Sequence, residues 1–478
     1  MLGKKTKIIA TLGPASGTDE IVEQLILNGM NVARLNFSHG DHESHKERID
    51  QVRKVSTRLG RHVGIMLDTK GPEVRLHDME NKGVQFNKND TFIITTKKVL
   101  GNHERFSLSY KGLINCIAKN DIIKIDDGEF VCRVTGVNLE KKEIYCIAIN
   151  SHFVKSRKGV NLPDIKLSLP YISKADEEDI RFGCDQDVDF IAASFVRTKK
   201  DILAIKTLTA KFGKPNLPII AKIENKEGID HLDDILSACE GIMVARGDMG
   251  VEVDVCEVPF IQEAIIEKCR LVGKPVIVAT QMLNSMQTNL VPTRAEVSDV
   301  SLAITQGCDC VMLSGESASG KYPVESVAMQ TRIAIETERH LDYPKLAINA
   351  LASSNKTMND ALMNSIATTA ILTGAKVIIS LNWDGNGTTR LAKARTICPI
   401  LMITDSVHVA RRLSIVWGVV PRVEKVISLK KLSHNDVDKL ARLFASKYNC
   451  VPGDKVVVCG SVDGEDDELD LMRIIEIQ

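Results

Sequence analysis

The sequence carries no excess of charge. Its 62 Lys and Arg stand against 62 Asp and Glu, so no global field draws in nucleic acid or an anionic membrane. No window approaches the roughly 18 consecutive apolar residues of a membrane span. The opening, MLGKKTKIIATLG, has basic residues but no long apolar stretch and no small-residue cleavage site, which argues against a secretory signal. The twelve cysteines are scattered and form no C-x-x-C. Cys308 and Cys310 lie in an apolar run, where they read as small buried thiols and not as metal ligands. Free thiols without a signal set the expectation of a reducing, cytoplasmic compartment. There is no solenoid repeat and no low-complexity linker.

What is present is enough chain, 478 residues, for about three domains, and enough hydrophobic residues, 44%, to fill a sizeable core. Eight short apolar runs recur: KIIATLGP (7–14), NVARLNFSHG (31–40), HVGIMLDTKGPE (62–73), VDFIAASFV (188–196), PIIAKIEN (218–225), GIMVARGDMG (241–250), PVIVATQM (275–282) and CVMLSGESA (310–318). Continuous apolarity marks strands covered on both faces. Helical periodicity lies between most of them. In TDEIVEQLILNGM, Thr18 suits the cap, Asp19 and Glu20 the first turn and Gly29 the stop. Strands alternating with helices predict a parallel sheet, and eight such units predict a closed (β/α)₈ TIM barrel.

The later runs start 34 or 35 residues apart, yet more than 110 residues separate the third from the fourth. The stretch between is β-branched, with NKND and DDGE turn signals. It reads as a small all-β lid domain inserted over the barrel's C-terminal mouth. After about residue 345 the pattern resets into an open α/β domain with four strand-like runs. The expected division is 1–70 with 170–345 for the barrel, 71–169 for the lid and 346–478 for the C-terminal domain.

Active sites of such barrels form at the C-terminal ends of the strands. Those ends offer Arg34, Asn36 and Ser38, then Asp68, Thr69 and Lys70. Further on come Lys222 with Glu224, then Arg246, Gly247 and Asp248, then Thr280 and Gln281, then Ser314 to Glu316. Lys222 and Glu224 share a face by the period-2 rule, as do Arg34, Asn36 and Ser38. Glu224 and Asp248, from adjacent strands, form a set that suits Mg²⁺; the alternative is that each pairs with a neighbouring cation. Lys222 and Arg34 beside such an ion suit a phosphoryl-bearing anion. Asn36, Ser38, Asp68 and Thr69 supply oxygens for a monovalent cation or for a plain hydrogen-bond cluster.

PIIAKIENKEGI, RLNFSHG, DTKGPEVR, MVARGDMGVE, ATQMLNSM with PTRAEVSDV, and VMLSGESASGKYP together resemble the pyruvate kinase family from residue 4 to about 345, and more loosely to the end. The resemblance implies transfer of the phosphoryl group of phosphoenolpyruvate to ADP in the last step of glycolysis, with Mg²⁺ and K⁺. It implies Lys222, Arg34 and Thr280 as catalytic residues, Thr280 as a proton relay through water to the enolate. It places the substrate at Arg34, Lys222, Ala245, Arg246, Gly247, Asp248 and Thr280, the carboxylate lying at the 245–247 backbone. Glu224 and Asp248 become Mg²⁺ ligands, and Asn36, Ser38, Asp68 and Thr69 become K⁺ ligands. Arg75, Asn36 and His39 fall on the nucleotide side. Glu73 implies K⁺ dependence, since members with lysine there dispense with the ion. A cytoplasmic homotetramer without nucleic-acid or membrane partners is the further implication.

Two departures stand out. Ser319 replaces a lysine common in the family, and an acidic run, Glu465 to Glu468, replaces the glycine-rich effector loop. That run would repel a bisphosphate. Against it, NWDGNGTTRLAKAR could cradle a phosphate through Thr388, Thr389 and Arg390, which leaves a sugar phosphate or AMP as the expected effector, or a plain loop. Two rival functions remain at this level: a Mg²⁺-dependent oxo-acid lyase, and a non-catalytic metabolite sensor. The nucleotide-side DTKGPEVR and the inserted lid speak against the first. The retained Lys222 speaks against the second.

Overall fold

The computed structural model describes residues 3–352, 357–382, 384–424, 434–448, 450–460 and 469–478. Eight parallel strands close into a barrel: β1 (Lys7–Thr11), β2 (Met30–Asn36), β3 (Gly64–Asp68), β4 (Phe190–Ala193), β5 (Ile219–Ile223), β6 (Gly241–Ala245), β7 (Val276–Ala279) and β8 (Cys310–Leu313). β8 pairs with β1 and completes the ring. All eight apolar runs supply one strand each. The helix Asp19–Leu27 starts where expected, with the Thr18 side chain accepting from the Ile21 N–H.

The barrel interior follows from alternation. Inward positions begin apolar, with Ile9, Val32, Met66, Ala192, Ile220 and Met243 in one cluster. Two residues further up the same faces they become Thr11, Arg34, Asp68, Ser194, Lys222 and Ala245. Hydrophobic burial therefore fills the floor, and the polar side chains have only the mouth to occupy. The lower layer runs on without a break into the C-terminal domain through Ile366, Leu391, Leu413 and Ile415.

Between β3 and β4 the chain builds a six-stranded sheet and a two-stranded one. Their shared core holds Phe86, Phe92, Phe106 and Phe130, with ring centroids of Phe86 and Phe92 5.0 Å apart. This all-β unit leans on the short helix Arg246–Glu252: Asn161 Nδ2 donates to Glu252 Oε1 at 2.9 Å, and the Lys124 ammonium donates to the Val251 carbonyl.

Among the described residues the C-terminal sheet has five strands, not the four read from sequence. Val419–Val423, Ile400–Thr404, Val377–Leu381 and Lys455–Gly460 run parallel, and Leu471–Glu476 closes the edge antiparallel. The acidic run 465–468 lies outside the described residues. The helix Asn386–Ala392 is only two turns long. Its hydroxyls are engaged within the fold, Thr388 with Ser380 Oγ at 2.8 Å and Thr389 with the Gly385 carbonyl at 2.9 Å. Ser319 caps a four-residue helix with its hydroxyl near the Gly315 carbonyl.

Candidate active site

Lys222 near the end of β5 and Glu224, the residue just after it, lie on the same inward face, as period 2 leads one to expect. The Lys222 ammonium donates to Ser194 Oγ at 2.7 Å and to Asp68 Oδ1 at 3.0 Å. Across the mouth, Arg34 Nε donates to the other Asp68 oxygen at 2.6 Å and its Nη1 to Thr11 Oγ1 at 2.9 Å. Asp68, fully buried, thus ties β2, β3 and β5 together. Burial opposes its charge, but Arg34 and Lys222 outweigh that and hold its carboxyl below the usual range. Burial likewise opposes the charge of Lys222, and Asp68 with Glu224 outweighs it and raises its pKa.

Glu224 is different. It is fully buried, and burial pushes its pKa up to about 7, with Lys222 pulling down and Asp248 pushing further up. Oε2 accepts from the Phe195 backbone N–H. Oε1 forms a buried ion pair with the Lys222 ammonium at 2.9 Å. Asp248, in the first turn of the helix 246–252, stands beside Glu224 and pushes its pKa up; burial raises that of Asp248 too, against Lys222. Lys222 is shared between Asp68 and Glu224, with Asp248 next to them, so carboxylates outnumber the ammonium at this end. That donor set suits Mg²⁺, which takes one or two carboxylates and leaves its other positions to water and substrate.

A cleft of about 580 Å³ opens from Asp248 toward the lid, lined among others by His39, Glu73, Arg75 and Asp127. Arg75 is half-exposed and paired with Glu73 at 2.7 Å. The structure brings Asn36 opposite Asp68 in register, with Thr69 following. Ser38 is not on the strand face: β2 ends at Asn36 and Ser38 lies in the turn, its N–H donated to Asn36 Oδ1 at 3.1 Å. The Arg246 side chain is committed elsewhere, its guanidinium holding Asp299 at 2.6 Å and the Thr280 carbonyl at 2.8 Å, which leaves only its main chain toward the mouth. Thr280 Oγ1 donates to the Ala279 carbonyl and accepts from the Gly247 N–H at 2.7 Å. Its backbone is left-handed (φ 70°), as is that of Phe195 (φ 53°). Such conformations cost about 1–3 kcal/mol each and gather at working sites.

The chain matches the family profile "Pyruvate kinase, barrel domain" over residues 3–327 and "Pyruvate kinase, alpha/beta domain" over 360–475. The chain belongs to the pyruvate kinase family. It is 45% identical over 474 residues to the pyruvate kinase of Sporosarcina psychrophila, covering 98% of this chain and 80% of that one. To that of Geobacillus stearothermophilus it is 44% identical over 473 residues, with the same coverage. A pyruvate kinase structure from Cryptosporidium parvum superposes with a TM-score of 0.93 at 37% identity, covering 100% of this chain and 97% of that one. The protein is therefore a phosphotransferase of the pyruvate kinase type, on the expected barrel fold, with phosphoenolpyruvate and ADP as the substrates that membership implies. Among the described residues, no helix is long and apolar enough to cross a membrane.

Two residues that the structure places against Arg34 and Lys222 escaped the sequence reading, Thr11 and Ser194. Both occupy inward positions at strand ends, and extending the parity of Ile9 and Ala192 by two residues would have found them.

Proposed function

We propose that the β5 and β6 ends perform phosphoryl transfer from phosphoenolpyruvate to ADP, the last step of glycolysis. The observation that carries this is the pair of neighbouring buried carboxylates, Glu224 and Asp248, beside the Lys222 ammonium that holds Glu224 at 2.9 Å, at the edge of the cleft. Phosphoryl transfer spreads negative charge over oxygens, so catalysis is mostly positioning and electrostatics. A Mg²⁺ held by Glu224 and Asp248 would neutralise charge on the phosphoryl and carboxylate oxygens. Lys222 would meet the charge developing on the transferring group and on the enolate oxygen. Arg34 would hold the phosphate from the opposite wall, its orientation fixed by Asp68 and Thr11. The 245–247 backbone would receive the substrate carboxylate, with Thr280 fixing Gly247. To act as a proton relay, Thr280 would have to release the Ala279 carbonyl.

Asn36, Ser38, Asp68 and Thr69 would hold K⁺, adding a second mobile positive charge. Arg75 and His39, with Asn36 nearby, would face the nucleotide, and the lid (71–169) would exclude water above the barrel (1–70 and 170–345). A cytoplasmic homotetramer is the assembly we take from family membership. In the C-terminal domain (346–478) a sugar phosphate or AMP would meet the turn at 384–390, whose threonine hydroxyls are already engaged, which argues for a weak response.

The test is direct. Phosphoenolpyruvate and ADP with Mg²⁺ and K⁺ should yield pyruvate and ATP in equal amounts, read by a coupled assay. Pyruvate formed without ADP would overturn the reading.

A further inference from the structure

We propose that Ser194, at the end of β4, is a positioning residue that sets the direction of the Lys222 ammonium. The proposal rests on the reading of Lys222 given above. An ammonium has three N–H groups and prefers anions to neutral acceptors. Here one N–H goes to Asp68 Oδ1 (3.0 Å) and the shortest contact goes to the neutral Ser194 Oγ (2.7 Å). The remaining contact is the ion pair with Glu224 Oε1 at 2.9 Å. Ser194 is the one neutral group among the three, and by taking an N–H it limits the hold of Lys222 on the Glu224 oxygen that a divalent ion would need.

Ser194 is built for this task. It is 2% exposed. Its hydroxyl proton goes to the Thr69 carbonyl at 2.6 Å, with Asp68 Oδ1 at 3.0 Å, so a lone pair faces Lys222. Its N–H donates to Thr69 Oγ1 at 3.1 Å and its carbonyl accepts from Tyr171 at 3.0 Å. The next residue, Phe195, gives its N–H to Glu224 from a left-handed backbone. One strained peptide therefore registers the ammonium against the carboxylate beside it. The segment returning from the lid is fastened to the same loop, since Arg197 donates to the carbonyls of Leu167 (3.0 Å) and Leu169 (3.1 Å).

Without the hydroxyl, Lys222 has only carboxylates left to bond, shifts further onto Glu224 Oε1 and competes more strongly with the divalent ion. The experiment is a double-mutant cycle with Ser194→Ala and Lys222→Met, reading kcat, direct Mn²⁺ binding by electron paramagnetic resonance and the thermal unfolding midpoint. Ser194→Ala should lower kcat by about 10- to 100-fold, the range for residues that orient a site group, and weaken Mn²⁺ binding several-fold at an unchanged unfolding midpoint. Both effects should vanish in the Lys222→Met background, which a merely structural role would not produce. Tyr171→Phe, which frees the Ser194 carbonyl, should give a smaller loss with the same dependence on Lys222, and serves the cycle if Ser194→Ala does not fold. A Ser194→Ala enzyme like wild type, or one whose losses persist without Lys222, overturns the proposal. A Lys222→Met enzyme within about tenfold of wild type, some 1.4 kcal/mol in the barrier, overturns instead the reading on which it rests.

Discussion

The barrel buries ionic clusters at both ends, and they differ in one respect. At the floor, Arg395 grips Asp309 in a two-point pair at 3.1 and 3.0 Å. Asp309 also accepts from the N–H groups of Trp417 and Val276, both at 3.1 Å. Both carboxylate oxygens are doubly occupied, and the Trp417 ring covers the guanidinium at 5.1 Å. At the mouth, Asp68 is similarly saturated, but Glu224 has only Lys222 and the Phe195 N–H for its two oxygens, and Asp248 faces an open cleft. A closed cluster joins the C-terminal domain to the barrel. An open one, with carboxylates in excess of its ammonium at the edge of a cleft, suits a cation from outside. Burial of charge is thus no sign of function by itself; an unbalanced charge beside a cleft is a better one.

If that contrast holds, substitutions at the mouth should cost activity and those at the floor stability. Lys222→Met should lower kcat on the order of 10³-fold, as loss of a charge-stabilising donor does, with a smaller loss of stability than at the floor because Arg34 still holds Asp68. Asp309→Ala leaves Arg395 buried without its anion and should lose about 3–5 kcal/mol in chemical denaturation, with the folded enzyme's kcat near wild type. Next in size is the monovalent ion. Replacing K⁺ by Na⁺ should slow turnover about tenfold or more, at least 1.4 kcal/mol in the barrier. Glu73→Lys, which places a fixed ammonium nearby, should reduce that dependence; equal rates in both salts would count against the K⁺ site.

The smallest effect is a pH slope at the floor. Lys7 is 4% exposed, its ammonium donates to the Val419 carbonyl, and burial lowers its pKa to about 8. Between about pH 8 and its ordinary value near 10.5, the unfolded chain binds a proton there that the folded chain does not. Stability should therefore rise with pH across that window. Lys7→Met should flatten the rise in a denaturation series, and an unchanged slope would remove Lys7 as its source.

The barrel was legible because strands buried on both faces read as unbroken apolar runs, and Lys222 and Glu224 were legible because each interrupts such a run at an inward position. Thr11 and Ser194 were not, since a hydroxyl at the end of an apolar run is an ordinary way for a strand to stop. The direction of the Arg246 side chain depends on Asp299, which only the fold brings near. The strand Leu471–Glu476 was missed because it is a half-exposed edge with a mixed pattern, which carries little of the signal that buried parallel strands do. Ser38 was misplaced by continuing period 2 past the point where β2 ends.

The central claim is that Glu224 and Asp248 jointly hold one divalent ion. Titrating Mn²⁺ into wild type, Glu224→Gln and Asp248→Asn, with bound ion counted by electron paramagnetic resonance, tests it without relying on turnover. The account predicts one site per chain in wild type, weakened at least about tenfold by either change, the scale of 1.4 kcal/mol in binding. Retention of wild-type Mn²⁺ affinity by either variant would contradict it.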